Sequence, residues 1–270
     1  MQTAQALTSM SGLPRLEARM LLEMVLGKPR EWLLAHDTDP LTPEAAARFL
    51  TLAAQRRQGV PMAHLVGHRE FMGLRLSVSQ DVLIPRPETE LLVEMALQSL
   101  PEGVELSLLD LGTGSGAVAI SVALARPAVR VVATDLSEAA LVVAHMNAQQ
   151  LSAPVQFWRG NWYEALPPEG RFDVIVSNPP YIARHDPHLL QGDLRFEPVV
   201  ALTDGADGLA ALSQIVAGAS QRLNAGGWLW LEHGYEQGAD VAQLLLSSGF
   251  KAVETKQDLA GLPRVTGGSL

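Results

Sequence analysis

From about residue 106 onward the chain alternates short apolar runs of strand length with longer stretches at helical spacing. Strands are expected over 106–111, 129–134, 155–158, 172–176 and 228–233, and helices over 115–125, 138–149, 209–223 and 239–247. Residues 251–256 and the last few add further strands. Alternation on this scale argues an α/β fold, with a doubly wound, mostly parallel sheet covered by helices on both faces. Ligands of such sheets sit at the carboxyl ends of the strands, where the direction of winding switches. The loops that follow the strands are therefore where chemistry is sought.

The first 68 residues read differently. Leu13, Leu16, Met20, Leu21, Met24 and Val25 keep helical spacing, and Gly27 then Pro29 end the run. Residues 31–36 suit a short second helix. Thr42-Pro43-Glu44 is a helix start, with Thr as N-cap and Pro in the first position, and the helix it opens ends near Gly59-Val60-Pro61. Three or four such helices make a small bundle whose expected role is partner recognition or packing. Residues 69–85 read as a β-hairpin connector around Met72-Gly73. The expected division is thus 1–68, 69–85 and 86–270. Arg56-Arg57 is the one dense basic run and reads as a solvated helix face.

With 47% hydrophobic residues the chain can bury a sizeable core, and the absence of cysteine excludes disulfides, thiolate–metal sites and a cysteine nucleophile. A net charge of −9 works against long-range attraction to nucleic acid. The start of the chain carries no evident signal peptide, and its most apolar early stretch, 20–26, contains Glu23 and is too short to span a bilayer. A cytoplasmic, monomeric protein with no direct nucleic-acid or membrane contact is expected. His185 and His188 share a loop without a convincing set of metal ligands around them, so no metal is expected.

Asp110-Leu111-Gly112-Thr113-Gly114-Ser115-Gly116 joins the first strand of the alternating region to its helix. Glycines let the backbone turn tightly and let a ligand approach without a Cβ in the way. The spacing is neither the dinucleotide fingerprint nor a Walker loop. Asp135 ends the next strand, where a carboxylate can accept both ribose hydroxyls of a nucleoside. Asn161-Trp162 follows the third strand, where an adenine could be sandwiched against Trp162.

Asn178-Pro179-Pro180-Tyr181 follows the fourth strand. Its two prolines fix two φ angles and remove two N–H donors, leaving a stiff, acceptor-rich turn with an amide at its head and an aromatic at its tail. That combination suits a planar –NH2 group held for attack by an electrophile; the bland alternative is a strand-ending turn with a stacked Tyr.

In this order, the Gly loop, the acidic strand end and the Asn178-Pro179-Pro180-Tyr181 turn resemble a class I S-adenosylmethionine-dependent methyltransferase. The flanking residues narrow the resemblance. Val82-Leu83-Ile84-Pro85-Arg86-Pro87-Glu88-Thr89-Glu90, Glu197-Pro198, Ala201-Leu202 and Asp207-Gly208-Leu209 are similar to the HemK/PrmC family over nearly all of 60–265. One departure is Asn161, where such methyltransferases usually carry Asp before the aromatic. The resemblance implies S-adenosylmethionine as cofactor, held by Gly112, Thr113, Gly114, Ser115, Gly116, Asp135, Trp162 and Asn178. It implies as substrate the glutamine of the Gly-Gly-Gln motif in class 1 peptide chain release factors, bound by Asn178, Pro179, Pro180 and Tyr181. A carboxamide nitrogen is a poor nucleophile, because its lone pair is delocalised into the carbonyl. Asn178 Oδ1 and the Pro179 carbonyl are the candidate acceptors that would orient it, and Tyr181 would pack on the amide plane, making Asn178, Pro179 and Tyr181 the catalytic set. Two rival enzyme readings share the turn: methylation of a glutamine on a large-subunit ribosomal protein, and methylation of a nucleic-acid amino group. A non-enzymatic cofactor-binding module is the third.

Overall fold

The computed structural model describes residues 2–270, which divide into two compact units. The first runs to His68 and takes in Gln191–Phe196. It contains five helices: α1 Ala4–Met10, α2 Arg15–Leu26, α3 Arg30–Ala35, α4 Pro43–Arg57 and α5 Met62–Val66. Leu7, Leu21, Leu22, Leu33, Phe49 and Ala53 form its core. Thr42 caps α4 as expected, accepting from Ala45 N at 3.2 Å with Pro43 in the first turn. The short α1 and α5 were not expected from periodicity; α1 carries its own N-cap, Thr3. The basic run is only partly a solvated face: Arg57 stays exposed, while Arg56 is half-buried, and both are bonded. Arg56 makes a two-pronged bond to Glu17, with both N···O distances 2.8 Å, and Arg57 Nη1 donates to Ser11 O at 2.6 Å.

The second unit spans Arg69–Leu190 and Glu197–Leu270. The hairpin β1 His68–Phe71 and β2 Leu74–Ser77 is followed by α6 Glu90–Gln98, β3 Ser107–Leu111, α7 Ala117–Ala125, β4 Arg130–Asp135, α8 Glu138–Leu151, β5 Val155–Arg159 and β6 Phe172–Ser177. Then come the short α9 Val199–Leu202, α10 Ala210–Ala219, β7 Leu223–Glu232, α11 Gly238–Ser247, β8 Lys251–Gln257 and β9 Pro263–Ser269. The sheet order is β5-β4-β3-β6-β7-β9-β8, parallel except for β9, which runs antiparallel to both neighbours.

Period-two burial explains the two covered faces. On one face Leu108, Val131, Ala133, Val174, Val176 and Trp230 pack with α6 and α7. On the other, Leu109, Leu111, Val132, Ile175, Leu229 and Leu231 pack with α10 and α11. Each fully buried Leu, Ile or Val contributes about 1.5–3 kcal/mol relative to exposure. The helix expected to run to Leu223 stops at Ala219, because Leu223 already pairs with Phe172 as the first residue of β7. Among the described residues no helix is long and apolar enough to cross a membrane.

Candidate active site

The chain winds outward from β3 through β4 to β5 and then returns to β6 on the other side of β3. The loops after β3 and β6 therefore part at this switch point and leave a crevice at the carboxyl edge. A cavity of about 340 Å³ opens there, lined by Gly112, Thr113, Gly114 and Ser115 after β3, Asp135 at the end of β4, Asn161 and Trp162 after β5, and Asn178 and Pro180 after β6. Three of the expected residues lie outside the lining. Gly116 is turned into the helix layer, where a Cβ would stand 2.8 Å from Ile120 Cδ1 and 3.3 Å from Ala144 Cβ. Pro179 is buried, and Tyr181 packs toward the core with Leu212 and its neighbours. The Tyr181 ring is thus behind the turn rather than on the cavity, because the two prolines let successive side chains face opposite ways.

The Gly loop is held from several sides. Gly112 N and Thr113 N both donate to Thr134 O, at 2.9 and 3.0 Å. Gly114 N donates to Asp135 Oδ2 at 2.9 Å, and Ser137 N to Asp135 Oδ1 at 2.8 Å. Gly112, Gly114 and Gly116 all have positive φ, where a side chain would be strained. Trp162 also has a positive φ of 49°, a costly setting for a bulky residue. It is fixed there by Thr134 Oγ1 donating to its carbonyl at 3.1 Å and by its own Nε1 donating to Gln214 Oε1 at 3.1 Å. Its ring lies against Gly112, where a Cβ would come within 3.2 Å of Cζ3.

Two carboxyls face this cavity. Burial pushes Asp110 up to about 7, aided by the charge of Asp135, although Thr113 and Ala119 N bond it. Both of those bonds fall on Oδ2, at 2.6 and 3.3 Å, which leaves Oδ1 without a partner among the described residues. Asp135 is likewise raised, by burial first, against the pull of its backbone donors. On the opposite wall Asn178 Nδ2 donates to Thr89 Oγ1 at 3.1 Å. That commits the nitrogen and leaves Oδ1 for the cavity.

Four residues that build the site carried no local signal as site residues. Thr89 sets the Asn178 amide. Asn147, wholly buried on α8, accepts from Ser77 N and donates to Ser77 O and Ser115 O at 2.8, 3.0 and 2.9 Å, tying the hairpin to the Gly loop. Glu197 accepts from Ile84 N at 3.0 Å and pairs with Arg86. Glu232, at the end of β7, accepts from the Tyr181 hydroxyl at 3.3 Å. Thr89 and Glu197 stood in noticed stretches, 82–90 and Glu197-Pro198, though neither was singled out there.

Residues 1–67 match the family model described as PrmC N-terminal domain, and 88–192 match the Methyltransferase small domain. The release factor glutamine methyltransferase of Bordetella pertussis is 59% identical over 259 residues, covering 96% of both chains. That of Burkholderia pseudomallei is 53% identical and covers 99% of this chain and 96% of its own. A solved methyltransferase from Pyrococcus furiosus shares the fold, with a TM-score of 0.55 at 21% identity over 73% of this chain and 89% of its own. So does a 16S rRNA N2 G1207 methyltransferase from T. thermophilus, solved with AdoMet and guanosine, with a TM-score of 0.53 at 24% identity over 75% of this chain and 49% of its own. The sheet with its switch-point cavity is a methyltransferase fold, and the chain belongs to the PrmC family of release factor glutamine methyltransferases.

Proposed function

We propose that the chain transfers a methyl group from S-adenosylmethionine to the side-chain amide nitrogen of the glutamine in the Gly-Gly-Gln motif of class 1 peptide chain release factors. The observation that carries the reading is Asn178, whose Nδ2 is committed to Thr89 and whose Oδ1 is left to a cavity also walled by the Gly loop and Asp135. The names carried by full-length relatives at 51–59% identity support release factor over a ribosomal-protein substrate.

The cavity fits the cofactor. Gly114 has open space where a Cβ would stand, so the backbone can be approached closely. Asp135 would take the ribose hydroxyls, Trp162 and Leu136 the adenine, and the free Oδ1 of Asp110 the cationic amino-acid end. When bound, S-adenosylmethionine supplies a methyl group on a sulfonium, a strong electrophile.

The chain's own residues supply alignment. Asn178 Oδ1 accepts one N–H of the glutamine amide. The Pro179 carbonyl, which no group donates to among the described residues, takes the other. A neutral amide oxygen is too weak a base to remove a proton, so these acceptors aim the nitrogen rather than deprotonate it. Pro180, Val200 and Pro198 give that wall an apolar surface. Orientation in a dry site is worth up to about 7–11 kcal/mol of barrier.

The helical unit before residue 69 is proposed to recognise the release factor. Monomeric action in the cytoplasm without nucleic acid completes the proposal, consistent with the charge of −9. A transfer assay with labelled cofactor, offering release factor, ribosomal protein and DNA, tests it, with the modified residue mapped by mass spectrometry. Label on the release-factor glutamine is expected; no label on any glutamine overturns the reading.

A further inference from the structure

Two short turns beside the Asn178 turn hold apolar side chains out to solvent. The first follows β7. Gly234 N donates to Gln237 Oε1 at 2.9 Å, and Gln237 N donates back to Gly234 O at 2.9 Å. Gln237 Nε2 then donates to Tyr181 O at 3.1 Å, which fixes this turn to the end of Asn178-Pro179-Pro180-Tyr181. Tyr235 stands on it, 51% exposed. The second turn joins β8 to β9. Val265 of β9 lies opposite Glu232, the last residue of β7, and Pro263 lies opposite Gln257, the last residue of β8. The β8–β9 turn is therefore at the same carboxyl edge as the cavity. Asp258 organises it. Its N donates to Leu262 O at 2.9 Å, its Oδ1 accepts from Ala260 N and Leu262 N at 2.9 and 3.0 Å, and its Oδ2 accepts from Arg264 Nε at 2.9 Å. At the tip Leu259 is 109% exposed, as open as in an extended peptide, and Leu262 is 38% exposed. The Arg264 guanidinium also lies 5.8 Å from the centre of the Tyr235 ring, which joins the two turns.

A fully exposed leucine gains nothing from folding, and a single one on a surface is ordinary. The setting of Leu259 gives it a use. The backbone at the tip is already ordered by its own hydrogen bonds, so a partner that covers it loses little entropy in ordering the turn. Position decides which partner that is. At the usual strand spacing β9 lies about 10 Å from β6, with β7 between them, and β8 about 15 Å. A folded domain about 30 Å across that inserts one side chain at the end of β6 overhangs about 15 Å to each side. The protein whose amide is methylated thus lies over both turns during transfer. A second copy of this chain seated there would obstruct that approach.

We propose that Leu259, with Leu262 and Tyr235, forms an apolar ledge on which the body of the release factor docks, outside the cavity that takes its glutamine. The inference rests on the release-factor reading, and the assay separates the two. Burying one leucine is worth about 10- to 100-fold in affinity. In the full chain, Leu259→Ser should therefore raise KM for intact release factor about 10-fold or more. Its kcat and its S-adenosylmethionine Kd should stay within about twofold of wild type, the signature of lost binding rather than lost chemistry. Its Tm should not move, because the side chain is open to solvent. Leu259→Met, which keeps an apolar side chain, should restore the wild-type KM, and Tyr235→Ser should raise KM in the same sense as Leu259→Ser. A KM in Leu259→Ser within about twofold of wild type, a fall in kcat without a rise in KM, or equal impairment in Leu259→Met and Leu259→Ser overturns the proposal. So does a wild type that sediments as a dimer with a monomeric Leu259→Ser, which would make the ledge a contact between copies. A wild type that methylates no release factor refutes the substrate and the ledge with it, whereas normal wild-type methylation with an unchanged KM in Leu259→Ser refutes the ledge alone.

Discussion

Asp110→Asn should make the ligand-free protein more stable as the pH rises. Burial lifts the Asp110 carboxyl from 3.8 to about 7. A carboxyl raised on folding contributes its stability in full below its unfolded value and loses it as pH rises through the folded one. Between pH 4 and pH 8 the wild type therefore loses about 4 kcal/mol from this group, about three pH units at about 1.4 kcal/mol each. An asparagine oxygen can take the place of Oδ2 and keep the bonds from Thr113 and Ala119 N, but it does not titrate. Urea unfolding of the two proteins at half-unit pH steps, followed by tryptophan fluorescence, measures the difference directly. The gap should widen toward pH 8 in favour of the mutant, equivalent to roughly 10 °C in Tm for a unit of this size. Groups bonded in the opposite sense, such as Asp173, act equally in both proteins and cancel. The same substitution removes the charge facing the cavity, so S-adenosylmethionine affinity should fall as stability rises. Parallel pH profiles for mutant and wild type would refute the account of Asp110 as a buried titrating group.

Asn178→Ala should keep cofactor affinity, read by calorimetry, and lose turnover; equal loss of both would make the turn structural. Gly116→Ala should destabilise by about 2–5 kcal/mol in chemical unfolding, since φ is +83° and the new Cβ would meet Ile120 and Ala144. Asn147→Ala strands three backbone groups of Ser77 and Ser115 and should cost about 3 kcal/mol, with a weaker cofactor Kd because the Gly loop loses a brace. Ile175→Ala, a wholly buried change in the central strand, should cost about 2–5 kcal/mol and leave KM unchanged in whatever fraction remains folded.

The sheet was legible because its strands are short, apolar and separated by helical spacing, a pattern set by burial on both faces. The Gly loop and Asp135 were legible because glycines at strand ends and an acid after the next strand are local signals. Thr89, Asn147 and Glu232 were not, because their partners lie 32–89 residues away and spacing along a chain says nothing of neighbours across a sheet. Tyr181 was placed on the wrong side of its turn for a related reason: two fixed φ angles set the chain direction but not which face the following ring takes. Arg56 read as solvated because charge runs usually are, whereas its partner Glu17 comes from α2; Arg57, which is exposed as expected, also bonds the Ser11 carbonyl at the end of α1.

The Glu197 carboxylate has a consequence for how the cavity meets its ligand. It reaches back 113 residues to hold Ile84 N and pairs with Arg86, and its side chain is closed to solvent. Releasing that segment alone would break the bond to Ile84 N and the pair with Arg86 around a buried charge, so local opening there is costly. The amide of Ile84 should therefore exchange with deuterium about as slowly as those of the central strands. A wall that is rigid before any ligand arrives loses little entropy on binding, and the affinity of the site is set by its contacts rather than by the ordering of its own chain.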